Sequence, residues 1–228
     1  EVIDLQVSAN SDVAGTFLSK IQLVSDLPPS PHLTLPVGAS FIDGLRLLKD
    51  LHPGLANSQP AYMRELQGVV YFIADDGVHG NELWRTDGTS GGTYLVKDIN
   101  SGIDGSEIGE LAILGDQLIF VAYDGDHGSE IWTSDGTANG TNMVVDIVPG
   151  ENGSVLLYSG FDNPSSAQDS EGFIYFAAEE DGDDFDLELW RTDGTAAGTT
   201  KVVEVNPDGR SFPRGFTEIN GTTYFSAV

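Results

Sequence analysis

The chain contains no cysteine, so it forms no disulfide, holds no thiolate-bound metal and offers no thiol nucleophile. Basic residues are scarce. Ten Lys plus Arg stand against 36 Asp plus Glu in 228 residues, a formal net charge of -26. Such a surface repels nucleic acid and anionic lipid, since phosphate binding needs cationic neutralisation. It suits a solvated chain or one that collects divalent cations. No apolar run approaches the length of a membrane span, so direct membrane insertion is not expected. No Ser/His/Asp order, phosphate loop or H-E-x-x-H is present. The first residue is Glu1 rather than Met and no signal peptide is visible, so the sequence reads as a processed form or a fragment.

What is present is repetition. Glu82 to Thr93, ELWRTDGTSGGT, recurs as Glu130 to Thr141, EIWTSDGTANGT, and again as Glu188 to Thr199, ELWRTDGTAAGT. Self-similarity of this kind marks a repeat architecture and has to be settled before any other reading. Trp84 and Trp132 lie 48 residues apart and Trp132 and Trp190 lie 58 apart. The extra residues fall in longer connections, notably Asn152 to Glu171 and Asp181 to Asp186.

Each unit reads as four strands. In the first, Tyr62 to Leu66 precedes Gly68, and Val69 to Ala74 is rich in β-branched and aromatic residues. A turn-rich loop, Asp75 to Gly80, leads to the alternating Glu82 to Thr86. Asp87-Gly88 then makes a tight turn into Thr93 to Ile99. The units span about 61–99, 110–147 and 172–205. Phe216 to Ala227 matches the first half of a fourth unit, with Asn220-Gly221 at its turn, and Leu45 to Leu51 matches a last strand. Leu35-Pro36 falls where Leu83-Trp84 stands, which makes His32 to Gly38 a degraded third strand.

A lone four-stranded meander cannot bury both its faces. Packing such sheets face to face around an axis gives an all-β fold, the β-propeller. The expected form has four blades, the fourth a composite of 216–228 with 31–51, so that strands from both termini close the ring. Residues 31–228 then form the repeat domain. Residues 1–30 form an N-terminal extension, able to make strands or to pair with a neighbour's sheet edge.

The three ELW segments resemble the ELWxxDGT repeat family of bacterial secreted and surface proteins, over roughly Leu45 to Val228. The resemblance implies a propeller-like extracellular repeat domain. It brings no agreed enzymatic activity and no catalytic residues. The second copy departs from the pattern with Ile131 for Leu and Ser134 for Thr.

Among residues that carry chemistry, Trp84, Trp132 and Trp190 are expected in the core between units, as are Phe72, Phe120, Phe176 and Phe225. Asp87, Asp135 and Asp193 are expected to accept backbone N–H bonds within their own turns, helped by Thr89, Thr137 and Thr195. Glu82, Glu130 and Glu188 read as structural acceptors. The acidic loops before each ELW segment are the candidate metal sites: Asp76 in the first, Asp124 and Asp126 in the second, and Asp181, Asp183 and Asp186 with Glu188 in the third. Closely spaced hard oxygens beside glycine are what Ca²⁺ requires. A second oxygen-rich set is Asp98, Asn100, Asp104 and Ser106 with Asp146 and Asn152. His79 and His127 occupy equivalent loop positions without metal-site spacing.

The function expected from this reading is that of a non-enzymatic extracellular or cell-surface module, structural or adhesive, stabilised by Ca²⁺ and assembling with copies of itself. The alternative is a lectin-like propeller that binds surface polysaccharide through loop acids and aromatics such as Tyr123, Tyr158 and Phe185. A glycosidase or polysaccharide lyase using a carboxylate pair is a third reading.

Overall fold

A computed structural model describes residues 47–54, 56–151, 153–154, 169–180, 187–206 and 211–227. Four antiparallel sheets carry these residues. The first joins β1 (Ala61–Leu66), β2 (Val69–Asp75), β3 (Asn81–Thr86) and β4 (Tyr94–Lys97) in chain order. The second joins β5 (Ala112–Leu114), β6 (Gln117–Tyr123), β7 (Ser129–Ser134) and β8 (Asn142–Met143) in the same way. The third has β9 (Ile174–Ala178), β10 (Glu188–Thr192) and β11 (Thr200–Val203), and the fourth is the hairpin of β12 (Arg214–Ile219) and β13 (Thr222–Ser226). There is no helix among the described residues.

Local chemistry sets these meanders. The hairpins turn at Gln67-Gly68 and Asn220-Gly221, where both residues have positive φ, the geometry a tight two-residue connection demands. Phe72 pairs across the ladder with Trp84, Phe120 with Trp132 and Phe176 with Trp190. This common register puts one Phe and one Trp at the centre of each of the first three sheets.

The DGTxxGT turn is held by side chains. Asp87 Oδ1 accepts from the Thr89 amide at 2.9 Å and from its hydroxyl at 2.7 Å. The Thr86 and Thr93 hydroxyls meet at 2.7 Å, and Thr93 Oγ1 donates to Thr89 O at 2.7 Å. Ser134 with Thr141 and Thr192 with Thr199 repeat that pair at 2.7 and 2.8 Å. Ser134 keeps the one group the position needs, a hydroxyl. Gly92, Gly140 and Gly198 are required because a Cβ there would lie 2.0 Å from the carboxylate of Asp87, Asp135 or Asp193.

Alternation then gives each of the first three sheets two apolar faces. Tyr71, Ile73, Leu83 and Val96 of the first sheet pack with Leu118, Phe120 and Trp132 of the second. From the other side of the second sheet, Leu114, Ile119, Val121 and Ile131 pack with Ile174 and Phe176 of the third. Phe72, Ala74 and Trp84 are covered by Leu48 and Leu51. Successive sheets therefore stack face to face in chain order. Trp132 and Trp190 lie where sheet meets sheet, as the sequence implies, and Trp84 lies under Leu48 and Leu51.

Three expectations need correction. Residues 47–51 of the Leu45–Leu51 strand form no ladder, since no described strand lies beside them, although their side chains dock as a last strand's would. The fourth strands are shorter than Thr93–Ile99 and Asn142–Ile147 suggest. The register with β3 shifts between Leu83 and Trp84, and β8 keeps only the pairs Trp132–Met143 and Thr133–Asn142. Phe225 is 37% exposed rather than in the core, because no described strand covers β13. The segments 2–7, 17–24 and 32–38 lie outside the described residues.

Phe120 is fully buried between the first and second sheets. Phe120→Ala is expected to cost about 3–5 kcal/mol of unfolding free energy, read from the midpoint of a denaturant titration.

Candidate functional site

The polar residues that repeat converge on the seams between sheets. At each seam a backbone bond joins the end of β2, or its counterpart, to a serine that follows the preceding unit. Asp75 N donates to Ser58 O at 2.9 Å, Tyr123 N to Ser106 O at 2.8 Å and Glu179 N to Ser154 O at 2.8 Å. These serines are buried.

The carboxylate of the ELW motif lies beside this bond. Glu82 is fully buried. Its Oε2 accepts from Ile99 N at 3.1 Å and from Ser106 Oγ at 2.8 Å, and its Oε1 accepts from Asn100 N at 3.1 Å. Glu130 accepts from Ser154 Oγ at 2.5 Å. The Ile147 and Val148 amides face it and favour its charged form, but none meets hydrogen-bond geometry at Oε1. Glu188 accepts from Val205 N at 2.7 Å. Burial pushes the Glu82 and Glu130 carboxyls up to about 7, and the Ser and amide donors only partly oppose it.

The acidic loops bind themselves. Asp76 Oδ1 accepts from Val78 N and His79 N, each at 2.9 Å, and Oδ2 lies 2.8 Å from His79 Nδ1. Asp124 repeats this with Asp126 N, His127 N and His127 Nδ1. Burial alone raises each Asp, yet the hydrogen bonds outweigh it and leave both below the usual carboxylate range. Each carboxylate in turn raises its histidine. The loops abut the preceding unit, where a Cβ on Gly77 would strike His52 and one on Gly125 would press on Asn100.

Against the expected metal set, the structure places Asp76 and Asp124 in these Asp–His clasps, Asp126 exposed at the loop surface and Glu188 buried in its seam. Asp181, Asp183 and Asp186 lie outside the described residues, as do Tyr158 and Phe185. Among the described residues no group of three or more His, Asp or Glu side chains is gathered to hold a metal ion. In the second oxygen-rich set, Asn100 Nδ2 donates to Gly105 O at 2.6 Å and Ser106 serves Glu82. Asn152 lies outside the description. Asp87, Asp135 and Asp193 sit in their own turns as expected.

Two features escaped the sequence reading. Ser58, Ser106 and Ser154 share the 48-residue spacing of the first two tryptophans, and that spacing was their signal. Lys49 Nζ donates to Thr93 O and Lys97 Nζ to Thr141 O, both at 2.6 Å, each lysine reaching from one unit to the turn of the next. A cleft of about 360 Å³ also opens between the third sheet and the β12–β13 hairpin, lined by Tyr175, Leu189, Val202, Thr223 and Phe225 among others.

No family model matches the chain, and no curated protein matches it. Among solved structures it is similar to the computationally designed protein Ika8, with 18% identity over 79% of this chain and 46% of that one, at a TM-score of 0.39. It is also similar to a Bacteroides ovatus protein named, provisionally, a hydrolase, with 11% identity over 72% of this chain and 52% of that one, at a TM-score of 0.34. The chain thus spans about half the length of each. Neither likeness is close enough to support an argument about fold or activity.

The titrations at the seams combine into a pH dependence. Glu82 and Glu130 bind protons more tightly folded than unfolded, so stability falls as pH rises from 4.5 towards 7. His79 and His127 act in the same direction, their contribution being lost as pH climbs through their raised values above 6.5. Asp76 and Asp124 act oppositely, but only below their ordinary 3.8. Melting temperature is therefore expected to be higher near about pH 5 than near about pH 8. Glu82→Gln should lower stability throughout, by setting an amide NH₂ against backbone donors, and should flatten that slope. Calorimetric scans across the range check both outcomes.

Proposed function

We propose that this chain is a non-enzymatic extracellular module, structural or adhesive in role, whose sheets are the blades of a four-bladed propeller with the fourth blade shared between 216–228 and 31–51. The observation that carries the reading is the use made of the repeated polar residues. Glu82, Glu130, Asp76, Asp124 and the Asp of each DGT turn all hold their own unit or its neighbour. Groups kept for chemistry on a substrate are more often left open in a cleft with their hydrogen-bonding capacity unspent. The acidic exterior adds solubility and repels anionic partners. Sequence resemblance to the ELWxxDGT repeats of secreted and surface proteins supports the location.

Electron micrographs of the purified chain test the architecture: rings with four lobes are expected, and open stacks would overturn it. Glycan-array binding separates the structural reading from the lectin-like one. Saturable binding to a surface polysaccharide, lost on substituting exposed loop aromatics, would favour the second.

Ca²⁺ belongs to the proposal at loop 181–186, where Asp181, Asp183 and Asp186 bring closely spaced carboxylates beside Gly182. A melting midpoint that drops by several degrees with a chelator and recovers with added Ca²⁺ is expected; an unchanged midpoint removes the ion from the account.

A further inference from the structure

Equivalent positions in successive sheets should be equally buried, and at the C-terminal end they are not. Phe72, Phe120 and Phe176 are at most 1% exposed, whereas Phe225, their counterpart on β13, is 37% exposed. Tyr71 is buried while Tyr224 is half exposed, and Val96 is buried while Val202 is not. Beyond β13 no described strand follows. Other outer strands carry protection of the usual kinds. β1 has Arg64, Glu65 and a bulge near Tyr62, β4 has Lys97, β11 has Lys201, and β8 is two residues long. β13, with the sequence TTYFS, has no charge, no proline and five exposed or half-exposed residues. In the complete sheets this place is filled by the ELW strand and its turn. At the two inner seams, Tyr71 packs on the turn glycine Gly136, and Leu114 with Ile119 on Gly194. At the third, Tyr175 stacks instead on Phe216, at 6.1 Å between ring centroids.

The other half of a sheet is found at the opposite end of the stack. Residues 48–51 stand to the first sheet as Val96 to Ile99 stand to the second. Lys49 donates to Thr93 O as Lys97 does to Thr141 O. Leu48 and Leu51 pack on Phe72 and Trp84 as Val96 and Ile99 pack with Phe120 and Trp132. Asp75 N meets Ser58 O as Tyr123 N meets Ser106 O. The residues before Leu47 therefore hold the sequence place of a third strand and its turn.

We infer that the uncovered edge of β13 and the cleft beside it are the receptor for residues 31–46 of the same chain, with Leu35 opposite Ser226 and Thr34 opposite Ala227. That register is the one in which Leu83 faces Ile73 and Glu82 faces Ala74. It sets Pro36 where the first and third sheets carry a bulge, between Leu83 and Trp84 and between Leu189 and Trp190. A bulge is one of the few places in a sheet that tolerates proline. The inference rests on the ring proposed above and names the strand that closes it.

The absence of native cysteine makes cross-linking unambiguous. Two double variants, Leu35→Cys with Ser226→Cys and Thr34→Cys with Ala227→Cys, sample neighbouring pairs, one of which is of the close, non-hydrogen-bonded kind. At least one should form an intramolecular disulfide about tenfold faster than the off-register pair Val37→Cys with Ser226→Cys. In the unsubstituted chain, hydrogen exchange of the Thr222–Ser226 amides should be slowed about as much as that of β2. Disulfide-linked dimers would assign the edge to a second copy and overturn the inference. Equal rates in all pairs, or fast exchange along β13, would overturn it as well. A four-lobed ring in micrographs without the on-register cross-link would leave the ring reading standing and remove only the closing strand.

Discussion

The first three sheets are apolar on both faces, and that constraint governs the rest. A strand whose residues are buried in either direction of the pleat gains nothing from lying on a single core, as a half-solvated antiparallel strand does. It needs a neighbour on each side. The Phe–Trp pair at the centre of each ladder provides much of the area, since large apolar side chains each contribute about 1.5–3 kcal/mol when fully buried. Because the face presented to the following unit differs from that presented to the preceding one, the contacts run head to tail. Tyr71 and Ile119 point forward while Phe72 and Phe120 point back.

Stacking of this kind leaves polar backbone at each seam, and the repeated acids answer it. Glu82 takes two amides and a serine hydroxyl where the chain leaves one sheet for the next. Burying a carboxylate is costly unless donors surround it, and its raised titration is the signature of that cost. The Asp76–His79 and Asp124–His127 clasps shape the neighbouring loops at the same seams. A chain with so many acids thus uses its recurrent ones as fasteners. The protein's acid-side stability and its head-to-tail packing have a common origin in these buried groups.

The repeat itself was legible because its restrictions are local. Glycine at positions 92, 140 and 198 is demanded by a carboxylate on the same turn, and the paired hydroxyls of Thr86 and Thr93 close a loop of seven residues. Strand order followed from alternation and from the Asp-Gly and Asn-Gly turns. The structural role of Glu82 as an acceptor also followed, in kind if not in partner. The partners of Ser106 and Lys97 were not read, because each acts on a residue of a different strand or a different unit, 24 and 44 positions away. Phe225 was misread for a related reason. Its sequence matches Phe72, but burial depends on what lies alongside.

What the sequence determined by itself was the all-β unit: which residues form strands, where they turn, and which side chains hold the turn, all of them interactions between residues close along the chain. Tertiary structure alone decided how the units meet: which face looks forward and which carboxylates lose water at the seams. Those outcomes depend on contacts between segments tens of residues apart, where identical motifs meet different neighbours and the pattern of any one copy carries no record of them.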